Sequence, residues 1–260
     1  MKFTIAACVA AVLFTAFPVM AQQKAAAPTG PHPKTQKELE ALQKVQTATD
    51  PDSQLAAINN VLENFTDTDY KPMLISMAMQ AAQQKDDQVL VTTWSERALQ
   101  TDPNNIEAHV VLAENIARHI RENDLDKADT IKKVQTNANQ ALALLKTADK
   151  PPAGMPDAQW PDVRKQLTGQ SYDALGQAAA VDKKFPDAVE AYKLGVAADP
   201  TSSVLKARLS RAYLQNKDYD NAISTADQVI ADASAQPVVK TFAQAQKDAA
   251  TKLKGTGAPK

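Results

Sequence analysis

The sequence predicts an all-α solenoid of about four to five stacked helix pairs, closed by a C-terminal capping helix. Three observations carry the prediction. Two consecutive windows, YDALGQAAAVDKKFPDAVEAYKLGVAADP and KARLSRAYLQNKDYDNAISTADQVIADAS, match at a 34-residue offset, with Leu175 answering to Leu209, Phe185 to Tyr219 and Ala188 to Ala222. A fixed period of this length marks stacked helix–turn–helix units. The composition agrees: 44% of the 260 residues are hydrophobic, only 5% are aromatic and seven are glycine, which favours closely packed helices over sheets. Ten of the 15 prolines, from Pro51 to Pro237, stand between helical stretches or at their starts, the positions where a missing N–H costs least.

Taken in order, the chain opens on MKFTIAACVAAVLFTAFPVMA. One basic residue, a short apolar run and Val19-Met20-Ala21 predict a signal peptide over 1–21, cleaved after Ala21, and a periplasmic or secreted protein. The apolar run is short for a membrane anchor. Cys8 lies inside that run rather than after it, which makes a poor lipid-attachment site, and cleavage would leave no cysteine. Residues 22–35, QQKAAAPTGPHPKT, lack periodicity and read as a flexible linker. Helix pairs follow near 38–71, 72–105, 106–168, 169–202 and 203–236. The first pair is degenerate and hinges at Pro51, as terminal repeats often are.

The third unit is 29 residues too long. IEAHVVLAENIARHIR reads as its first helix, LDKADTIKKVQTNANQALALLKTA as an unusually long second one, and DKPPAGMPDAQWPD as a proline-rich loop bearing Trp160. In the fourth unit Tyr172, Leu175, Gly176 and Ala179 share a face, and Gly176 lets a partner helix come close. Lys183-Lys184 makes the turn and Pro186 opens the second helix. PVVKTFAQAQKDAATKLK then caps the stack over 238–253, with Val238, Phe242, Ala245 and Ala249 on one face and Lys240, Lys247 and Lys254 on the other; 254–260 is a tail.

The 169–202 unit resembles the tetratricopeptide repeat (TPR) family. It has an aromatic at position 4 (Tyr172), Leu-Gly at 7 and 8 (Leu175, Gly176), aromatics at 17 and 24 (Phe185, Tyr192), Ala at 20 (Ala188) and Pro at 32 (Pro200). Ala179 and Gly195 depart from the pattern. The 203–236 unit keeps Leu209, Tyr213, Tyr219, Ala222 and Val229 but has Ala226 and Ser234 where an aromatic and proline are usual. The 72–103 segment keeps Ala78, Ala98 and Pro103, with Val91 where Ala is usual. The resemblance implies a right-handed solenoid whose concave groove binds protein or peptide. Repeat positions 2, 5, 9 and 12 point inward in that family. Carried onto this chain they give Gln170, Asp173, Gln177 and Ala180, then Val204, Ala207, Arg211 and Leu214. The weaker frames add Ser76 and Gln80, then Val110 and Glu114. The polar and charged members, Ser76, Gln80, Glu114, Gln170, Asp173, Gln177 and Arg211, are the candidate partner contacts. Trp160 is a candidate loop contact that folds back or meets a partner. Family members that grip a C-terminal carboxylate place Lys and Asn at positions 5 and 9; Asp173 and Gln177, or Ala207 and Arg211, do not fit that subtype.

Other chemistry leaves no signature. His109 and His119 share a helix at a spacing of ten and fall on different faces, and His32 lies in the linker. Asp124-Leu125-Asp126 begins like a calcium loop, but Ala128, Asp129 and Gln135 break the pattern. No phosphate loop or nucleophile elbow occurs, so no catalytic, cofactor or metal residue is expected. The net charge of −1, or −2 once Lys2 is removed with the leader, argues against a nucleic-acid binder. The sequence thus predicts a non-catalytic scaffold for protein or peptide partners outside the cytoplasm. The alternatives are a structural subunit of an envelope assembly and an enzyme with a site in the groove. Partner identity and oligomeric state are not encoded in any local motif. Protein recovered from its native compartment is expected to begin at Gln22; an intact mass retaining residues 1–21, or a lipid adduct, would contradict this.

Overall fold

The computed structural model describes residues 30–152 and 155–256; the expected signal segment, most of the linker and residues 257–260 lie outside them. Among the described residues there are eleven α-helices and no strand. They are α1 (Gln36–Thr47), α2 (Pro51–Asn64), α3 (Lys71–Gln84), α4 (Gln88–Thr101), α5 (Ile106–His119), α6 (Lys127–Thr147), α7 (Trp160–Val181), α8 (Phe185–Ala198), α9 (Ser203–Gln215), α10 (Tyr219–Ala231) and α11 (Pro237–Gly255). None is long and apolar enough to cross a membrane. The helices form two compact units. One runs to Pro103 and takes in Pro152 and Met155; the other is Asn104–Pro151 with Pro156 onward.

In the first unit, α1 packs on α2, α2 on α3 and α3 on α4. Leu42, Val45, Leu55, Ile58, Val61, Leu62, Leu74 and Ile75 are buried, as are Ala78, Val91, Trp94 and Ala98. The Thr35 hydroxyl caps α1 by accepting from the Glu38 N–H at 3.1 Å. Glu38 is itself 1% exposed. Its carboxylate accepts the Thr68 hydroxyl at 2.6 Å and the Lys34 N–H at 2.6 Å, tying α1 to the α2–α3 turn. This corrects the reading of residues 31–35 as part of a flexible linker. Lys34 pairs with Asp67 and Asp69, and the Tyr70 hydroxyl donates to the Pro31 carbonyl at 3.1 Å. Composition made the segment look loose; partners more than thirty residues away fasten it.

In the second unit, successive helices pack in chain order, and α5, α7, α9 and α11 also touch one another in turn. Each first helix of a repeat therefore lies against the first helix of the next, as an α-solenoid requires. The core is built largely from small residues. Ala113, Ala117, Ile131, Val134, Ala138, Ala174 and Ala178 form one cluster, and Val189, Tyr192, Leu205 and Leu209 centre the next. Ala226, Val229, Val239 and Ala243 centre the third. The long second helix expected in the 106–168 unit is α6, of 21 residues. One expectation fails: α7 starts at Trp160, not near Gly169. Pro161 stands in its first turn, where proline is tolerated, so the proline that made this stretch look like loop belongs to a helix start.

Three turns between paired helices repeat the same backbone geometry. Asp86, Lys183 and Lys217 have φ of 54°, 59° and 61°, and they occupy the same place in the 72, 169 and 203 frames. In each, the following N–H reaches back five residues: Asp87 to the Ala82 carbonyl, Lys184 to Ala179 at 3.0 Å and Asp218 to Tyr213 at 2.9 Å. These are Schellman closures in which the left-handed position, usually glycine, carries a side chain. That conformation costs an L-residue about 1–2 kcal/mol. Lys217→Gly is expected to stabilise the protein by about 0.5–1 kcal/mol once the greater unfolded-state freedom of glycine is deducted; an unchanged or lower thermal midpoint would contradict this.

Candidate functional site

Helices α7 and α8 approach closely because glycine stands where they meet. A Cβ on Gly176 would lie 2.6 Å from the Tyr192 ring, one on Gly169 3.1 Å from Leu205, and one on Gly195 3.3 Å from both Leu205 and Tyr172. Tyr192 is 4% exposed, and burial followed by the Asp173 charge raises its phenol above the ordinary range. Tyr192 thus closes the back of the first-helix face, where charges from three helices meet.

Those charges come from α5, α7 and α9. Asp173 on α7 is 7% exposed. Its Oδ2 accepts from Arg208 Nη1 of α9 at 3.0 Å and from Gln177 Nε2, one turn along α7, at 3.1 Å. Its Oδ1 is buried with no hydrogen-bond partner. Burial raises the Asp173 carboxyl, while Arg208 and Arg118 oppose the rise. Burial also works against the Arg208 charge, but Asp173 and Tyr192 outweigh it, so the ion pair is retained. Glu114 on α5 is half-buried. Its carboxyl is pushed up to about 8, first by burial and then by Asp173, against the pull of Arg118 and Arg208.

The structure sorts the sequence candidates into groups. Glu114, Gln170 and Gln177 are half-buried and Arg211 is exposed, all on α5, α7 and α9. Repeat position 9 therefore forms one row on touching helices: Glu114, Gln177, Arg211 and, on α11, Ala245. Asp173 is a correction. Position 5 is buried in each stacked repeat (Val110, Asp173, Ala207), because adjacent first helices meet there, and the Asp173 carboxylate is spent on Arg208 and Gln177. Of the two readings of Trp160, the structure shows the folded-back one. The residue is 4% exposed, and its indole N–H donates to the Ala148 carbonyl at 3.0 Å, closing the α6–α7 connection. Ser76, half-buried, and Gln80, exposed, lie on α3 in the other unit. Sequence reasoning missed Arg208, which sits at position 6, outside the inward set, and reaches a residue of the preceding repeat. Among the described residues, no group of three or more His, Cys, Asp or Glu side chains could hold a metal ion.

Comparison with known proteins agrees with this architecture. A tetratricopeptide-repeat family model matches residues 181–246, from the end of α7 into α11. The fold is similar to the crystal structure of a thermophilic TPR protein from Thermus thermophilus. The TM-score is 0.53 at 12% identity, over 81% of this chain and 94% of that one. No curated protein matches. The stacked first helices, the 34-residue register and the match over 181–246 agree on a tetratricopeptide-repeat-like fold.

The glycine contacts give a direct test. Gly176→Ala gains about 1 kcal/mol of helix propensity but drives a methyl group into the Tyr192 ring, and overpacking of this kind costs about 1–3 kcal/mol. The expected outcome is net destabilisation, with Tyr192 displaced. A higher denaturation midpoint would show that the α7–α8 contact is looser than the geometry implies.

Proposed function

We propose that this chain is a non-catalytic scaffold, acting outside the cytoplasm, that binds an extended protein or peptide segment across the first-helix face of α5, α7, α9 and α11. The observation that carries the reading is the position-9 row. Glu114, Gln177, Arg211 and Ala245 stand on successive touching helices, running from a carboxyl through an amide and a guanidinium to a methyl group. Such a row offers an extended ligand one side-chain position per repeat and gives it a direction. The residues behind the row, Asp173, Arg208 and Tyr192, are engaged with one another and hold its backbone in place. The 1–21 segment, with its short apolar run and Val19-Met20-Ala21, supports the extracytoplasmic location.

Photo-crosslinking side chains introduced at Gln177 and Arg211 in the native host test the face directly. They are expected to capture the same partner, while a probe at Lys247, which is paired with Asp227 at 2.7 Å, captures none. Arg211 is exposed, and Arg is enriched among residues that dominate binding energy. Arg211→Ala should cost about 1–2 kcal/mol of affinity for that partner with little change in stability, and Lys247→Ala much less. Equal effects at both, or none at either, would move binding off this face. A stoichiometric complex captured from every position would instead favour a structural subunit.

A further inference from the structure

We propose that Asp173 is a positioning residue for the first-helix face. It holds the Gln177 amide in one orientation, so that the face offers an extended peptide a fixed hydrogen-bond acceptor at α7 and, through Arg211, a donor at α9. The inference rests on the reading of this face as a peptide-binding surface and adds the chemistry the peptide must bring. Asp173 is 7% exposed. Its Oδ2 accepts from two groups at once, Arg208 Nη1 at 3.0 Å and Gln177 Nε2 at 3.1 Å. A carboxylate paired with an arginine is an acceptor only, and a primary amide has one donor end and one acceptor end in a fixed plane. Turning the Gln177 amide over would set its oxygen against the Asp173 oxygen, losing a hydrogen bond at a buried group and adding a repulsion. The nitrogen is therefore held inward and one orientation remains.

The oxygen of that amide is left for a ligand. Gln177 stands one helical turn after Asp173, on the same face of α7, and is half-buried. Among the described residues its Oε1 bonds to nothing, and the buried side-chain polar atoms without a partner are Ser95 Oγ and Asp173 Oδ1. Gln177 Oε1 is therefore open to solvent. Arg208 comes from α9, so the orientation at α7 is set by the next repeat. Arg211, three residues further along α9, is exposed and pairs with no carboxylate among the described residues; its guanidinium is a donor only. Two neighbouring positions of the row thus differ in hydrogen-bonding character. A peptide lying across them places an N–H or O–H opposite α7 and a carbonyl or carboxylate opposite α9. Because the amide is already ordered, binding at α7 does not have to immobilise a free side chain.

Two readouts on the full chain test this. The first is the side-chain amide of Gln177, followed by nitrogen-15 NMR without ligand and assigned through Gln177→Met. Its hydrogen-bonded proton is expected to exchange with solvent about tenfold more slowly than the amide of exposed Gln43. The protection should vanish in Asp173→Ala/Arg208→Ala, which removes both charges so that neither is left buried alone. Should that variant fail to fold, the unaltered chain still decides, because exchange as fast as at Gln43 would overturn the proposal. The second readout is an array of random decapeptides. The strongest binder is remade with each backbone N–H methylated and each side-chain donor removed in turn. One of these changes is expected to weaken binding to the unaltered chain by about 2–12-fold, the worth of one neutral hydrogen bond, and to leave binding to Gln177→Met unchanged. If no such change is coupled to Gln177, the proposal is overturned although peptides bind. A fixed amide with no peptide bound would overturn the reading of the face as a peptide site, and the proposal with it. A freely turning amide with peptides bound would overturn the proposal alone.

Discussion

The stacked unit depends on small residues at the lines where helices cross. Ala113, Ala117, Ala174 and Ala178 bring α5, α6 and α7 together, and Gly169, Gly176 and Gly195 do the same for α7, α8 and α9. An alanine buries little apolar surface, so stabilisation comes from many close contacts rather than from a few large side chains. Such contacts lose strength steeply with separation. A single added carbon at Gly176 meets the Tyr192 ring at 2.6 Å. The larger residues, Tyr192, Leu205 and Leu209, fill only the space the small ones leave, and their rotamers follow from the helix spacing.

This spacing also explains how an Asp–Arg pair can lie inside the stack. Close first helices bury position 5, and at Asp173 the chain puts a carboxylate there. Such a pair is rarely a net source of stability, because desolvation offsets the attraction between the charges. It does restrict the alternatives. Arg208 of one repeat reaches Asp173 of the preceding repeat at 3.0 Å, and a slip of one helix along the other would leave both charges buried and alone. Removing either partner is correspondingly expensive. The ion pair thus sets register between repeats, while alanine and glycine set distance.

What the sequence made legible was whatever repeats. The 34-residue offset, Pro186 and Pro200 at helix boundaries, Gly176 at a close approach and the long second helix of the 106–168 unit all follow from local pattern, and the structure contains each. What escaped was set by contacts between repeats or by backbone geometry that a side chain does not announce. Arg208 lies outside the inward positions and matters only because Asp173 stands opposite. Trp160 looked like loop because of the prolines near it in sequence, yet Pro161 is a good helix starter. Lys183 and Lys217 carry the left-handed turn without the glycine that would have flagged it. The 31–35 stretch is fastened by Asp67, Asp69 and Tyr70, which no window around it contains.

The same distinction divides the candidate site. The family's inward positions were carried over as one set, but in this chain they split by depth. Position 5 holds Val110, Asp173 and Ala207, all buried, and it builds the stack. Position 9 holds Glu114, Gln177 and Arg211, none of them buried, and lies nearer solvent. The difference follows from helix geometry: positions four apart lie one turn apart, offset by about 40° around the axis, enough to move a side chain from the line of helix contact toward solvent. On α11 the corresponding positions, Thr241 and Ala245, are both exposed, because that helix contacts α9 on one side and turns Gln244, Asp248 and Thr251 outward. Within this unit α7 and α9 each have a first helix on both sides. Asp173 lies on one of those two helices and Arg208 on the other, so the buried charge pair sits where the stack is most closed and its environment is least like water.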